Sequence, residues 1–324
     1  MAQPFYHLRP NKYVDRCLFV AALDRLNTKF QLKEYRYIGF GSFMFDDFKL
    51  LHDRLNINSM ISLEADPTVR ERAEYNMPYN CIRIINQTST DFISVGEWNG
   101  EKSIIWLDYT SPAELAQQFN DLAALSNLLN TNDIVRITLN ANVASLGKCD
   151  ANQDLQAFRL NVLQERIGEH IPADVHKEEL TTANYPILLL RCIHKMLGSL
   201  FKENKFDKRF VLPLFSTIYQ DGQTMLTFTF IVLDNHDKET EIRNSFDDNI
   251  SFVNFEWDKP SKIKIPELTV KEILEMNKLL PSENAQEQLE KKFSFVFSGD
   301  DGNEKIKSYA NFYKFYPSYH SINL

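Results

Sequence analysis

A handful of residues have the types and placement that chemistry would need. Gly39, Gly41 and Ser42 lie in a G-F-G-S turn that follows a β-branched and aromatic run. Glycine there permits a sharp turn and lets a ligand come close to the backbone. Glu64 and Asp91 each follow a later apolar run. A carboxylate after a second strand can accept the hydroxyls of a ribose, and one after a third strand can accept from the exocyclic amine of adenine. Asp108 and Tyr109 open a D-Y-T-S-P segment. An acid in that place can orient a nucleophile, take its proton or hold an ammonium. Arg9 and Lys12 supply cations that could meet an anionic substrate or a ligand carboxylate.

Each of these residues also has a plainer reading. Glu64 could be a solvated side chain beside a tight strand-to-helix turn. Asp91 and Asp108 could each cap the helix that follows. Arg9 and Lys12, with His7 and Arg16, could be ordinary charges on a solvated N-terminal arm.

The elements that would position these side chains can be read from pattern. Tyr35 to Gly39 reads as a strand. Phe43, Phe45, Phe48, Leu50, Leu51 and Leu55 then recur with helical spacing, and Met60 to Leu63 reads as a second strand ending at Glu64. Strand, glycine turn, helix, strand and acidic tip is the opening unit of a Rossmann-like nucleotide fold. A dinucleotide fingerprint needs a third glycine, and Met44 stands there instead. That absence favours S-adenosylmethionine over NAD or FAD, since no pyrophosphate need sit on the helix N-terminus.

Before this unit, the spacing predicts a helix starting at Pro10-Asn11, with Asn11 as its cap, and ending near Thr28. After it, Asp66 and Pro67 begin a helix to about Asn76, and Cys81 to Ile85 reads as a third strand. Ser103 to Asp108 is a near-continuous apolar run, as in a buried parallel strand. A helix from about Pro112 to Asn130 and a fifth strand from Ile134 to Leu139 follow. Helices are expected near Leu155 to Ile167 and from Thr182 to about Glu203. The Asp221-Gly222 turn between two strand-like runs marks a hairpin. The fold class expected is therefore α/β, a Rossmann-like class I methyltransferase sheet of five parallel strands closed by an antiparallel hairpin. Dehydrogenases do not usually end in that way.

Beyond residue 235 the reading is a charged loop over 237–248, a strand over 250–257, and a helix ending near Leu280-Pro281. The last stretch is rich in aromatics, among them Phe293, Phe295, Phe297, Tyr309, Phe312 and Tyr319. Such a tail packs on its own domain, docks a partner or stacks nucleobases beside Lys305, Lys307 and Lys314. Three regions result: an arm and helix over 1–30, a Rossmann-like domain over 31–235, and an aromatic-rich extension over 236–324.

Composition narrows the function classes. The chain has 324 residues, 44% of them hydrophobic, enough for one large elaborated domain. Its net charge of −8 speaks against broad nonspecific nucleic-acid binding while leaving room for a local basic patch. Cys17, Cys81, Cys149 and Cys192 form no C-x-x-C pair and read as reduced core thiols. His170 and His176 lack metal-ligand spacing, and His194, in an apolar helix, reads as a satisfied core or interface histidine. No apolar run is long enough for a membrane span and the N-terminus is polar, so a cytoplasmic protein is expected.

The stretches YIGFGSFMFDDFKLLH, MISLEADPTVRERAEYNMPY and IIWLDYTSP, with YHLRPNKYVDR and LTVKEILEMNKLLP, resemble bacterial O-methyltransferase-like proteins over most of the chain. The resemblance implies a Rossmann methyltransferase fold with S-adenosylmethionine bound at Gly39, Gly41 and Glu64. It leaves the methyl acceptor unnamed. D-Y-T-S-P shares an acid, an aromatic and a proline with the D-P-P-Y loop of amino-methylating enzymes, in another order and without the first proline. Two expectations follow. One is a methyltransferase with Asp108 and Tyr109 facing the acceptor; the other is a non-catalytic assembly or regulatory subunit of a multigene system such as phage defence, its C-terminal extension docking a partner.

Overall fold

The computed structural model describes residues 9–317, apart from 97, 99, 204–207, 247–249, 251 and 298. His7 and Tyr319 lie outside the described residues.

Eight strands form one sheet: β1 (Arg36–Gly39), β2 (Ser59–Leu63), β3 (Ile82–Ile85), β4 (Ser103–Asp108), β5 (Ile134–Asn140), β6 (Phe210–Gln220), β7 (Thr224–Leu233) and β8 (Ser261–Ile263). Their order is β3-β2-β1-β4-β5-β7-β6-β8. The first five are parallel, and β7 runs antiparallel between β5 and β6. This is the expected Rossmann-like α/β sheet closed by a hairpin, with one strand more, because β8 adds in parallel to the outer edge of β6. β1, β4 and β5 are buried on both faces, and β4 accordingly reads as a near-continuous apolar run and not as alternation.

One face of the sheet is covered by α1 (Pro10–Asn27) and α2 (Asp46–Leu55), whose Val14, Leu18, Leu23, Phe48, Leu51 and Leu55 meet Ile104 and Trp106. The other face is covered by α5 (Leu115–Leu128), α6 (Leu155–Ile167) and α7 (Tyr185–Glu203). Between them in sequence lie α3 (Pro67–Asn76) and α4 (Ser89–Val95) at the β3 edge.

Several expectations are corrected. α1 starts at Pro10 with Arg9 at the cap position, so Asn11 is not the cap. Its side chain instead donates to Asp221 Oδ1 at 2.7 Å and accepts from the Ile265 N–H at 2.7 Å, tying the helix start to the β6–β7 turn and to the chain after β8. The charged stretch taken for a loop is α8 (His236–Ser245), which Asn235 caps by accepting from the Asp237 N–H. The run over 250–257 is not a strand among its described residues; the added strand comes later, at β8. His194 is exposed and stacks on Trp257 at 4.1 Å rather than lying in the core.

The stretch from residue 236 onward divides between two cores. β8, Phe252 and Phe312 belong to the main sheet. α9 (Val270–Asn277), α10 (Ala285–Phe293) and α11 (Gly302–Phe312) enclose a small core of Met276, Leu289, Phe293, Phe297, Ile306 and Tyr309. Most of the tail's aromatics are therefore packed inside, while Phe295 is 72% exposed. No helix among the described residues is long and apolar enough to cross a membrane.

Candidate functional site

The carboxyl ends of β3, β2, β1, β4 and β5 lie side by side, where an open parallel sheet receives its ligand. Gly39 ends β1 between Ser62 of β2 and Trp106 of β4. The turn that follows folds back on itself: the Gly41 N–H donates to Ser62 Oγ at 3.1 Å, and Ser42 and Phe45 take left-handed backbone. A Cβ at Gly39 would lie 2.5 Å from the Tyr37 hydroxyl, and one at Gly41 would lie 2.4 Å from Ser62 Oγ and 2.8 Å from the Phe45 ring. Both glycines are thus demanded by the chain's own packing, a reason the sequence reading did not supply.

Glu64 stands at the tip of β2, half-buried, with Oε1 accepting the Asp66 N–H at 3.1 Å. Burial raises its pKa, and that hydrogen bond opposes the rise. Asp91 is exposed in the first turn of α4, next to β3. Thr88 is the cap of that helix. Its hydroxyl accepts the Asp91 N–H at 3.1 Å and donates to the Asp91 carboxylate at 2.7 Å.

Asp108, at the end of β4, is paired with Lys12 of α1 at 2.6 Å, both side chains at most 10% exposed. The arm is therefore not a row of solvated charges: Lys12 and Arg16 are buried, and Arg16 pairs with Asp47 of α2. Burial works to raise the Asp108 pKa, but Lys12, Arg16 and the Thr138 hydroxyl outweigh it and hold the carboxyl below its usual range. Asp108 does not cap the following helical turn, which begins after Ser111.

Tyr109 is not brought to Asp108. Strand alternation sends it to the opposite face, where its hydroxyl donates to Asp121 at 2.6 Å. Asp121 also accepts from Ser89, Thr90 and Gln117. Tyr109 thus ties α4 to α5 and presents its ring edge to Phe40 at 5.6 Å. The expectation that it faces an acceptor beside Asp108 is corrected on this geometry.

Arg9 and Lys12 do come together, in a cavity of about 120 Å³. Thr110, Asn140, Tyr219, Asp221, Gln223 and Met225 complete its wall. Tyr219 and Asn140 were missed because neither has a local signature; hairpin closure carries Tyr219 to the end of β5. Asp47 and Tyr37 were missed as well. The one available signal was on α1, where Asn11 and Asp15, and Lys12 and Arg16, recur at i,i+4 beside its apolar stripe.

The family follows from the sequence as a whole. Residues 4–324 match the model of a family described as "Putative O-methyltransferase". The chain belongs to this family. S-adenosylmethionine is accordingly its cofactor, and the half-buried Glu64 and exposed Asp91 at neighbouring strand ends suit the nucleoside half of that molecule. No curated protein matches the chain in sequence. Among solved structures, the plantazolicin methyltransferase BamL, crystallised with SAH, is 12% identical over 68% of this chain and 86% of its own, with a TM-score of 0.42. A protein described as "a putative O-methyltransferase from Klebsiella pneumoniae" is 14% identical over 71% of this chain and 91% of its own, at 0.38. TomG from Streptomyces achromogenes, in complex with SAM, is 11% identical over 65% and 78%, at 0.35. Likenesses this loose carry no argument; the strand order and the family match do.

Proposed function

We propose that this methyltransferase-family chain is a working enzyme whose reaction site is the strand-end region between Glu64 and the cavity at Arg9 and Lys12. The observation that supports it best is the buried Lys12–Asp108 pair, set at the carboxyl end of the central strand β4 beside that cavity. A structural pair has no need to border a polar cavity at the ligand-receiving end of a sheet.

In this reading S-adenosylmethionine supplies a methyl group activated by its sulfonium charge. Glu64 accepts the ribose hydroxyls and Asp91 the adenine amine. The turn at Gly39, Gly41 and Ser42 offers close backbone approach, and Asp108 attracts the cofactor's ammonium. Arg9 and Lys12 face the acceptor. Because Lys12 holds its pKa below the usual carboxylate range, Asp108 is a weak proton acceptor and serves to position charge.

The test is calorimetric titration of the full chain with S-adenosylmethionine, S-adenosylhomocysteine, NAD and ATP. Selective binding of the first two is expected; binding of NAD instead, or of none, refutes the reading. A second reading is favoured by one observation. Val270, Leu274 and Phe295 are 61%, 60% and 72% exposed on the C-terminal helical unit, which suits docking to a protein partner in a multigene system such as phage defence. Size measurement with and without residues 293–324 separates that role from catalysis.

A further inference from the structure

One buried carboxylate has no part in the site as described so far. Asp121 of α5 is 3% exposed. Its Oδ2 accepts from the Tyr109 hydroxyl at 2.6 Å and the Ser89 hydroxyl at 2.7 Å. Its Oδ1 accepts from the Thr90 hydroxyl at 2.8 Å and the Gln117 amide at 2.9 Å. A buried charge is costly unless it is hydrogen-bonded, and bonds to a charged acceptor are the strong ones, so these donors are held firmly. Asp121 is itself fixed, because α5 sets Phe119, Leu122 and Leu125 in the core on this face of the sheet.

Two of the donors, Ser89 and Thr90, are the first residues of α4, and Asp91 is the third. That helix needs outside support. It has seven residues, buries only Phe92 and Ile93, and follows β3, the edge strand that pairs with β2 alone. A helix so short is not stable by itself. Another donor, Tyr109, presents its ring edge to Phe40 of the glycine turn at 5.6 Å. The Asp121 carboxylate therefore joins the start of α4 to the turn after β1, across the end of β4.

We infer that Asp121 is a positioning residue for the adenine of S-adenosylmethionine: it holds Asp91 at a fixed place relative to the glycine turn, with Tyr109 as the link. The inference rests on the reading above in which Asp91 accepts the adenine amine. Thr88 completes the arrangement, its hydroxyl donating to Asp91 Oδ2 at 2.7 Å and accepting the Asp91 N–H at 3.1 Å. Thr88 thus orients the Asp91 carboxylate while Asp121 places its backbone. A shift of about 1 Å at the start of α4 is enough to carry an amine out of hydrogen-bond range.

The experiment measures, by calorimetry on the full chain, the preference for S-adenosylhomocysteine over its purine-riboside analogue, in which hydrogen replaces the 6-amino group. The parent should prefer the amine at least about tenfold, as for a hydrogen bond to a charged group, and Asp91→Ala should abolish the preference. Asp121→Asn should cut it to about threefold or less while the analogue binds within about twofold of its parent affinity. The double variant Ser89→Ala and Thr90→Val, which alters neither Asp91 nor Tyr109, should do the same, and it serves even if Asp121→Asn fails to fold. Tyr109→Phe keeps the ring on Phe40 and should also lower the preference. Equal weakening of both ligands makes Asp121 scaffold, and an undiminished preference in these variants removes it from the site; either overturns the inference. No binding by the parent, or a preference that survives Asp91→Ala, defeats the earlier placement of adenine and this inference with it.

Discussion

Helix α1 sends two charged side chains into the same face of the sheet, less than one turn apart, and the two ion pairs they form are built differently. Asp15 meets Arg136 of β5 at 2.5 Å with both side chains wholly buried. Arg136 also donates to Thr229 at 2.6 Å and Thr227 at 3.0 Å, and Thr217 donates to Asp15. The rings of Phe19, Trp106 and Phe215 close around the guanidinium at 4.9, 4.9 and 5.3 Å. Lys12, by contrast, lines a cavity. Unpartnered polar atoms occur at both pairs: Asp15 Oδ2 and Arg136 Nε at the first, Asp108 Oδ1 and the nearby Tyr219 hydroxyl at the second. What separates them is access. Lys12 and Tyr219 line the cavity, whereas Asp15 and Arg136 do not. A buried charge pair is therefore read as function or scaffold by what borders it, and not by its burial.

The largest effect that would break this comparison is on stability. Asp15→Ala leaves Arg136 enclosed without its counter-charge, and should cost about 3–5 kcal/mol in denaturant unfolding. A loss under about 1 kcal/mol would show that the pair does not anchor α1.

Next comes the cofactor end of the site. Glu64→Ala should weaken S-adenosylmethionine binding by about 1.5–3 kcal/mol, the range for hydrogen bonds to charged groups. Its unfolding midpoint should stay close to that of the parent, because Glu64 is only half-buried. Equal losses in both measurements would make Glu64 scaffold.

Lys12→Met should destabilise by less than Asp15→Ala, about 1–3 kcal/mol, because the cavity lets water reach the deserted carboxylate. If the two variants cost the same, the distinction drawn from access is wrong.

The smallest effect is in acid. The folded-state pKa of Asp108 lies below its ordinary 3.8, so its stabilising contribution is present above that value and is lost as pH falls through the lower folded one. Lys12→Met removes the main opposing charge and raises the folded pKa. The stability gap between parent and variant should then narrow as pH drops below about 4. A gap constant down to acid would place the Lys12 contribution in packing.

Much of the fold could be read in one dimension because its signals are local. A near-continuous apolar run marked β4, glycines marked the β1 turn, and Asp-Gly marked the β6–β7 hairpin. α6 spans the Leu155 to Ile167 expected of it, and Asp154 caps it by accepting two N–H groups. Failures came where the decisive partner is distant. β8 is three residues long and exists because the edge of β6 was free to take it. α8 was hidden by charge, since it buries only Ile242. Asn11 looked like a cap because caps and long-range hydrogen bonds use the same side chain.

The sequence by itself determined the α/β class, the closing hairpin, the family and the strand ends at which a ligand is received. Those follow from periodicity, turn chemistry and residue order, which depend on near neighbours. Only the tertiary structure decided that Lys12 answers Asp108, that Tyr109 lies on the other face, that Tyr219 lines the cavity, and that Tyr37 and Phe45 impose the glycines. Each of these is a meeting of side chains brought together by sheet order and strand alternation, and no short stretch of chain records it.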